Sequence, residues 1–140
     1  MALQQSASAP RRFEVRREVY FPRDAFYRMN EERAERGEHL YANPRNTAAG
    51  SLRQLDPKIT AQRKLDIWIY QVGWVEGGPS PDTHSKAMAW LGDLGFRINP
   101  EIEQLSTLEA VTGYHATWVK TRHAKNYLTD GVVVKIDDLS

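Results

Sequence analysis

The sequence predicts a mixed α+β fold, on three observations. Residues 13–21 alternate apolar and polar side chains with the period of a strand, as do residues 130–136 at the other end. Leu65–Trp74, Leu-Asp-Ile-Trp-Ile-Tyr-Gln-Val-Gly-Trp, is dense in β-branched and aromatic residues, which suit a pleated surface. The stretches between carry helix caps and glycine stops instead. The expected order is β-α-α-β-α-α-β, with no internal repeat and no interdomain linker.

Each element has its own signal. Residues 1–12, rich in Ala, Ser and Gln, read as a loose leader ahead of a folded part over residues 13–140. In the first strand Phe13, Val15, Val19 and Phe21 share one face, and Glu14, Arg16, Glu18 and Tyr20 the other. Pro22 ends it, and Arg23–Arg36 reads as a charged helix stopped by Gly37. A short helix is expected near Asn46–Gln54, followed by a loop through Asp56-Pro57. After the strand at Leu65–Trp74, the Gly and Pro of Glu76–Pro81 mark a loop. Asp82 or Thr83 can cap a helix running to about Leu94, with Gly95 at its end. Ser106-Thr-Leu-Glu109 is a capping box, in which each side chain satisfies a backbone N–H, and it opens a helix to about Arg122. In the last strand Gly131, Val133 and Lys135 fall on one face and Val132, Val134 and Ile136 on the other. The apolar face can then pack while Lys135 points to a cleft.

Length and composition bound the class. A chain of 140 residues is long enough for one domain with a real core and too short to expect two. Its 41% hydrophobic content, with four Trp, six Tyr and four Phe, argues for a folded protein rather than disorder. The net charge of +1 says nothing about a nucleic-acid partner. Without cysteine there are no disulfides or thiol metal sites, and no sign of an oxidising compartment. No apolar run approaches the ~20 residues of a membrane span, and the N-terminus lacks the apolar core of a signal peptide. A cytoplasmic protein with no membrane partner is the default expectation.

Four features bear on chemistry. Ala42–Pro57, Ala-Asn-Pro-Arg-Asn-Thr-Ala-Ala-Gly-Ser-Leu-Arg-Gln-Leu-Asp-Pro, sets Arg45 and Arg53 around a run of small residues. Small residues let backbone approach a ligand, and guanidinium forks suit phosphate oxygens. Five cations between Arg45 and Lys64 against the single Asp56 are, taken alone, the usual mark of a solvated helix face. The polar face of the first strand is ordinary for an antiparallel sheet open to water. It also offers Glu18 to a ribose hydroxyl or a metal ion. Tyr70 shares a strand face with Trp68, either as a core aromatic pair or as a stacking platform for a base. Lys135, in Asp130-Gly-Val-Val-Val-Lys135, is either an edge-strand lysine or a compact charge for a phosphate. The four histidines (His39, His84, His115, His123) lack metal-ligand spacing. There is no Ser-His-Asp arrangement and no GxxxxGK[ST] loop.

Taken in this order and at these separations, the four features resemble the adenylation domain of bacterial NAD-dependent DNA ligases. Glu14-Val-Arg-Arg-Glu-Val19 is similar to that family's L-E-V-R-G-E-V strand, and Ala42–Pro57 matches its signature almost letter for letter. Thr60-Ala-Gln-Arg-Lys-Leu-Asp, the Tyr70 strand, Thr83-His-Ser and Asp130-Gly-Val-Val-Val-Lys-Ile follow, so that the resemblance covers about residues 13–139. It implies a nucleotidyltransferase-like (ATP-grasp-like) α+β fold, with mainly antiparallel sheets and flanking helices. It also implies NAD and Mg2+ as cofactors, nicked duplex DNA as partner, and a monomer. In such an enzyme a lysine in a Lys-x-Asp-Gly motif takes AMP from NAD. The AMP then passes to the 5′-phosphate of a nick, and the 3′-hydroxyl displaces it. By the same resemblance Glu18 contacts the AMP ribose or metal region, Tyr70 stacks on adenine, and Lys135 meets the nucleotide phosphate. Arg45, Arg53 and Arg122 serve nucleotide or nick phosphates, and Asp130 helps hold the geometry.

The departures are equally specific. No Lys-x-Asp-Gly occurs in these residues, so no catalytic nucleophile is assigned. The family's later lysine motif and its zinc, helix-hairpin-helix and BRCT modules are absent as well. Arg17 and Gln71 stand where the family has glycine, and alternation puts Arg17 on the strand's apolar back, where an unpaired charge is costly. The sequence reads as the central part of an adenylation domain, incomplete at both ends and inactive alone. The alternative is a non-catalytic nucleotide- or nick-phosphate-binding module, or a decayed gene product.

Overall fold

The computed structural model describes residues 10–140. In chain order its elements are β1 (Arg12–Tyr20), α1 (Arg23–Glu35), α2 (Pro44–Leu52), α3 (Pro57–Gln62), β2 (Asp66–Glu76), α4 (His84–Asp93) and α5 (Leu108–Thr121), then a 3-10 turn at Arg122–Ala124. Residues 1–9 of the expected leader lie outside the described residues. The class is mixed α+β as expected. The two strands form an antiparallel pair. β1 starts one residue early, at Arg12, whose guanidinium lies 3.5 Å from Glu76 and 5.7 Å from the Trp74 ring centre.

In place of the single core expected from length, the chain forms two compact units, each with its own core. The first comprises the described residues up to Glu18, Ile67–Val111 and Val133–Ser140. Its centre is Leu91, fully buried with Ala87 and Met88 along α4 and with Ile69 of β2. Phe13 of β1 closes this core edge-on, 5.4 Å from the Trp90 ring and 5.8 Å from Phe96. Gly95, at φ +87, turns the chain at the end of α4. The Phe96 N–H then reaches back to the Leu91 carbonyl at 3.0 Å, which delivers Phe96 to the core.

The second unit comprises Val19–Asp66 and Thr112–Val132. Phe21, Ala25 and Phe26 pack with Ala48 of α2, flanked by Met29, Tyr41 and Leu65. The start of α1 also clamps a later segment. Asp24 and Asn126 exchange hydrogen bonds at 3.0 and 2.7 Å, and Arg23 donates to the His123 carbonyl at 2.7 Å.

Several expectations are corrected. α2 begins at Pro44 rather than Asn46, because Asn43 caps it by accepting from the Arg45 and Asn46 amides, and Pro44 fits the first helical position. The same device, Asp56 before Pro57, turns the expected loop into α3. The capping residue of α5 is Thr107, whose hydroxyl accepts from the Ala110 amide at 3.2 Å.

The strand expected at residues 130–136 does not form. A strand needs a ladder partner, and none is present among the described residues. The face expected to pack is open, with Val134 64% and Ile136 84% exposed. Arg17 is also exposed, so the desolvation cost expected of it does not arise. The cover over the β1 back is provided by Trp90 and Phe96, and these rings lie against Phe13.

Candidate functional site

Trp68 and Tyr70, two residues apart on β2, share a face, and each carries a cation against its ring. Arg97 lies 4.9 Å from the Trp68 centroid and Lys135 5.1 Å from that of Tyr70. Ile67 and Ile69 point the other way into the core, and this alternation leaves Tyr70 39% exposed. Lys135 also donates to the Tyr70 carbonyl at 3.1 Å, a contact across 65 residues of chain. Burial, and secondarily the Arg16 guanidinium, pull the Lys135 ammonium below its ordinary pKa. Glu18 stands exposed on β1 with no side-chain partner among the described residues.

The segment carrying Lys135 is fastened to the start of α4. The His84 amide donates to the Asp137 carbonyl at 2.7 Å, and the Leu139 amide to the Asp82 carbonyl at 2.9 Å. The Asp137 carboxylate accepts from the Ser85 amide, the Ser85 hydroxyl and the Gln104 amide, at 2.7, 2.9 and 2.8 Å. His84 is held below its usual pKa, first by burial and then by Lys135, with Asp137 opposing. The fold thus collects an aromatic face, an ammonium and a neutral-leaning imidazole in the first unit. Such a set suits a base and a phosphate.

The second unit holds the other expected residues. Arg45 pairs with Asp130 at 2.9 Å, both side chains largely in water. The Arg53 amide closes the C-terminus of α2 on the Gly50 carbonyl. Arg122 opens the turn after α5. The guanidinium groups of Arg53 and Arg122 are exposed and unpaired among the described residues, and so are open to an anion.

The small-residue run has a structural use as well. Thr47 and Ser51 are buried, and their hydroxyls bond back to the carbonyls of Asn43 and Thr47, both at 2.7 Å. Along the same helix face Asn43, Asn46, Gly50 and Gln54 line a pocket of about 240 Å³, closed by Tyr41 and Arg63. Neither Arg45 nor Arg53 lines it.

Sequence reasoning gave Arg63 no role, yet it donates to the Tyr41 hydroxyl at 3.1 Å. Arg33 stacks on the same ring, 4.6 Å from its centre. Asp137 was also missed. Its signal was its position two residues after Lys135, on the same side of an extended chain.

Among the described residues no group of three or more His, Asp or Glu side chains is placed to hold a metal ion. No helix among them is long and apolar enough to cross a membrane.

The family model for the NAD-dependent DNA ligase adenylation domain matches residues 1–140. The chain is 53% identical over 131 residues to a DNA ligase of Desulforudis audaxviator, which is 94% of this chain and 19% of that protein. It is 48% identical over 126 residues to one from Desulforamulus reducens, covering 90% of the chain and 19% of the relative. A DNA ligase of Dehalococcoides mccartyi is 48% identical over 132 residues, 94% of the chain and 20% of the relative. The chain thus spans about a fifth of the length of the curated relatives it matches. On the match along its whole length, the chain belongs to the NAD-dependent DNA ligase adenylation domain family.

Proposed function

We propose that this chain serves in an NAD-dependent DNA ligase, sealing 5′-phosphate/3′-hydroxyl nicks in duplex DNA during replication and repair. The observation that carries the reading is the Lys135 ammonium resting on Tyr70, brought together from two separate segments of the first unit. In this reading the exposed Tyr70 ring supports adenine. Lys135 exchanges a backbone carbonyl for a nucleotide phosphate, a stronger, charge-assisted partner. Glu18 faces the ribose. Arg45, Arg53 and Arg122 take nucleotide or nick phosphates, and Asp130 holds Arg45 until a phosphate replaces it. These tasks are positioning and charge neutralisation, which phosphoryl transfer chiefly needs.

NAD supplies the AMP that is transferred. Magnesium belongs to the same reading, held mainly by nucleotide phosphates and water, with Glu18 as its candidate carboxylate. The reading includes a nucleotidyltransferase-like fold, a monomer and a cytoplasmic setting.

Two experiments test it. These residues contain no Lys-x-Asp-Gly, so incubation of the chain with NAD and magnesium is expected to give no AMP adduct by intact mass. An adduct would refute that assignment. The second test grafts the chain into the Desulforudis ligase in place of the matching 131 residues. The chimera is expected to seal a nicked duplex, and K135A or Y70A in it to lower the rate by about tenfold or more. Sealing unaffected by either substitution would sink the site assignment.

A further inference from the structure

We infer that Asp137 is a positioning residue for Lys135, and that its carboxylate sets the register which turns the ammonium onto Tyr70. The functional meaning of this inference rests on the nucleotide reading above. Its geometry does not.

Although no strand forms here, alternate residues still differ: Lys135 and Asp137 contact the fold, while Val134 and Ile136 stand exposed. A slip of one residue exchanges the two sets. Burial of apolar surface does not choose between them here, because Val134 and Ile136 are 64% and 84% exposed. Apolar burial would favour turning them inward instead. The main-chain bonds that tie residues 137 and 139 to residues 84 and 82 do not choose either, since nearly every residue offers the same N–H and C=O.

The Asp137 side chain does choose. Its Oδ1 accepts from the Ser85 amide, while Oδ2 accepts from the Ser85 hydroxyl and from Gln104. A carboxylate is the side chain that accepts from all three donors at once. Its anchor is firm, because Ser85 opens α4, whose Ala87, Met88 and Leu91 are buried in the core. Lys135 leaves this anchor two residues away, about 7 Å along the chain. Its Nζ ends 3.1 Å from the Tyr70 carbonyl.

The test reads the lysine directly. Reductive methylation with 13C-formaldehyde labels each ammonium, and the Tyr70 ring current displaces the Lys135 methyl signal. Lys135→Arg assigns that signal and Tyr70→Leu abolishes the displacement. Asp137→Ala is expected to bring the signal to the position of an exposed lysine. Asp137→Asn should keep most of the displacement. Its oxygen still accepts from the Ser85 amide, and the Ser85 hydroxyl and Gln104 amide can turn to meet its NH2. Ile136→Ser should leave the signal in place.

The inference is overturned if a folded D137A keeps the wild-type signal, or if I136S moves it as far as D137A does. Should D137A fail to fold, S85A and Q104A are read on the same signal. A partial shift supports the inference and no shift overturns it. Calorimetric titration with AMP forms a separate arm, in which K135A and D137A should both weaken binding about tenfold. A K135A chain that binds AMP like wild type removes the nucleotide reading, while the methyl signal still decides what Asp137 does.

Discussion

His84 shows how a single residue in the first unit is tuned by its neighbours. Burial and the nearby Lys135 both disfavour its charged form, so its folded pKa lies below the usual 6.5. The unfolded chain therefore binds the extra proton first as pH falls. The stability tied to a neutral His84 is fully present above pH 6.5 and is lost as pH falls through the folded value. Urea midpoints should accordingly drop as pH falls below 6.5, and His84→Gln should flatten that part of the profile. An unchanged slope in the variant would show that the imidazole is not linked to folding. The Arg45–Asp130 pair behaves differently. Both side chains are largely in water, where such a pair is worth about 1 kcal/mol or less. It orients Arg45 and contributes little to stability.

At the scale of elements, the signature segment is first a well-capped helix. The Asn43 side chain accepts from two of the amides that a helix start leaves unpaired, and Pro44 removes a third donor. Asn43→Ala should cost about 1 kcal/mol in urea unfolding, and should raise amide exchange at Arg45 and Asn46 before other α2 residues. Uniform exchange across α2 would argue that the cap does not hold the helix start. The run Thr47, Ala48 and Ser51 then has two uses, since these side chains are small enough to be buried, with the Thr47 and Ser51 hydroxyls bonded back to helix carbonyls. Asn46, Gly50 and Gln54 line the pocket beside Thr47 and Ser51.

For the molecule as a whole, stability rests on two small cores. Among the described residues Leu91 is the largest side chain removed entirely from water. Leu91→Ala should cost about 2–5 kcal/mol, the range for a buried leucine. That is a large part of the ~5–15 kcal/mol by which folded domains are stable. A loss below about 1 kcal/mol by urea denaturation would mean that the α4 core adds little.

Much of this fold was legible in the sequence. The periods of residues 13–21 and 65–74, Gly37 and Gly95 as helix stops, and a cap at Thr83 all depend on neighbours within a few residues. The signature motifs likewise identify the family from local order alone. The same local reading missed α3 because the Asp-Pro cap was taken for a loop signal, although both uses of proline fix the same φ.

What the sequence by itself determined is the mixed class, most element positions and the residue types suited to a nucleotide and phosphates. Only the tertiary structure decided which of these act together. It brought Lys135 to Tyr70 and Asp137 to Ser85 and Gln104, and it paired Arg45 with Asp130. It also left residues 131–136 without a ladder. The physical reason is that alternation fixes which side of its own strand a residue takes. A partner tens of residues away is fixed only when buried faces and hydrogen-bonding groups are satisfied in three dimensions.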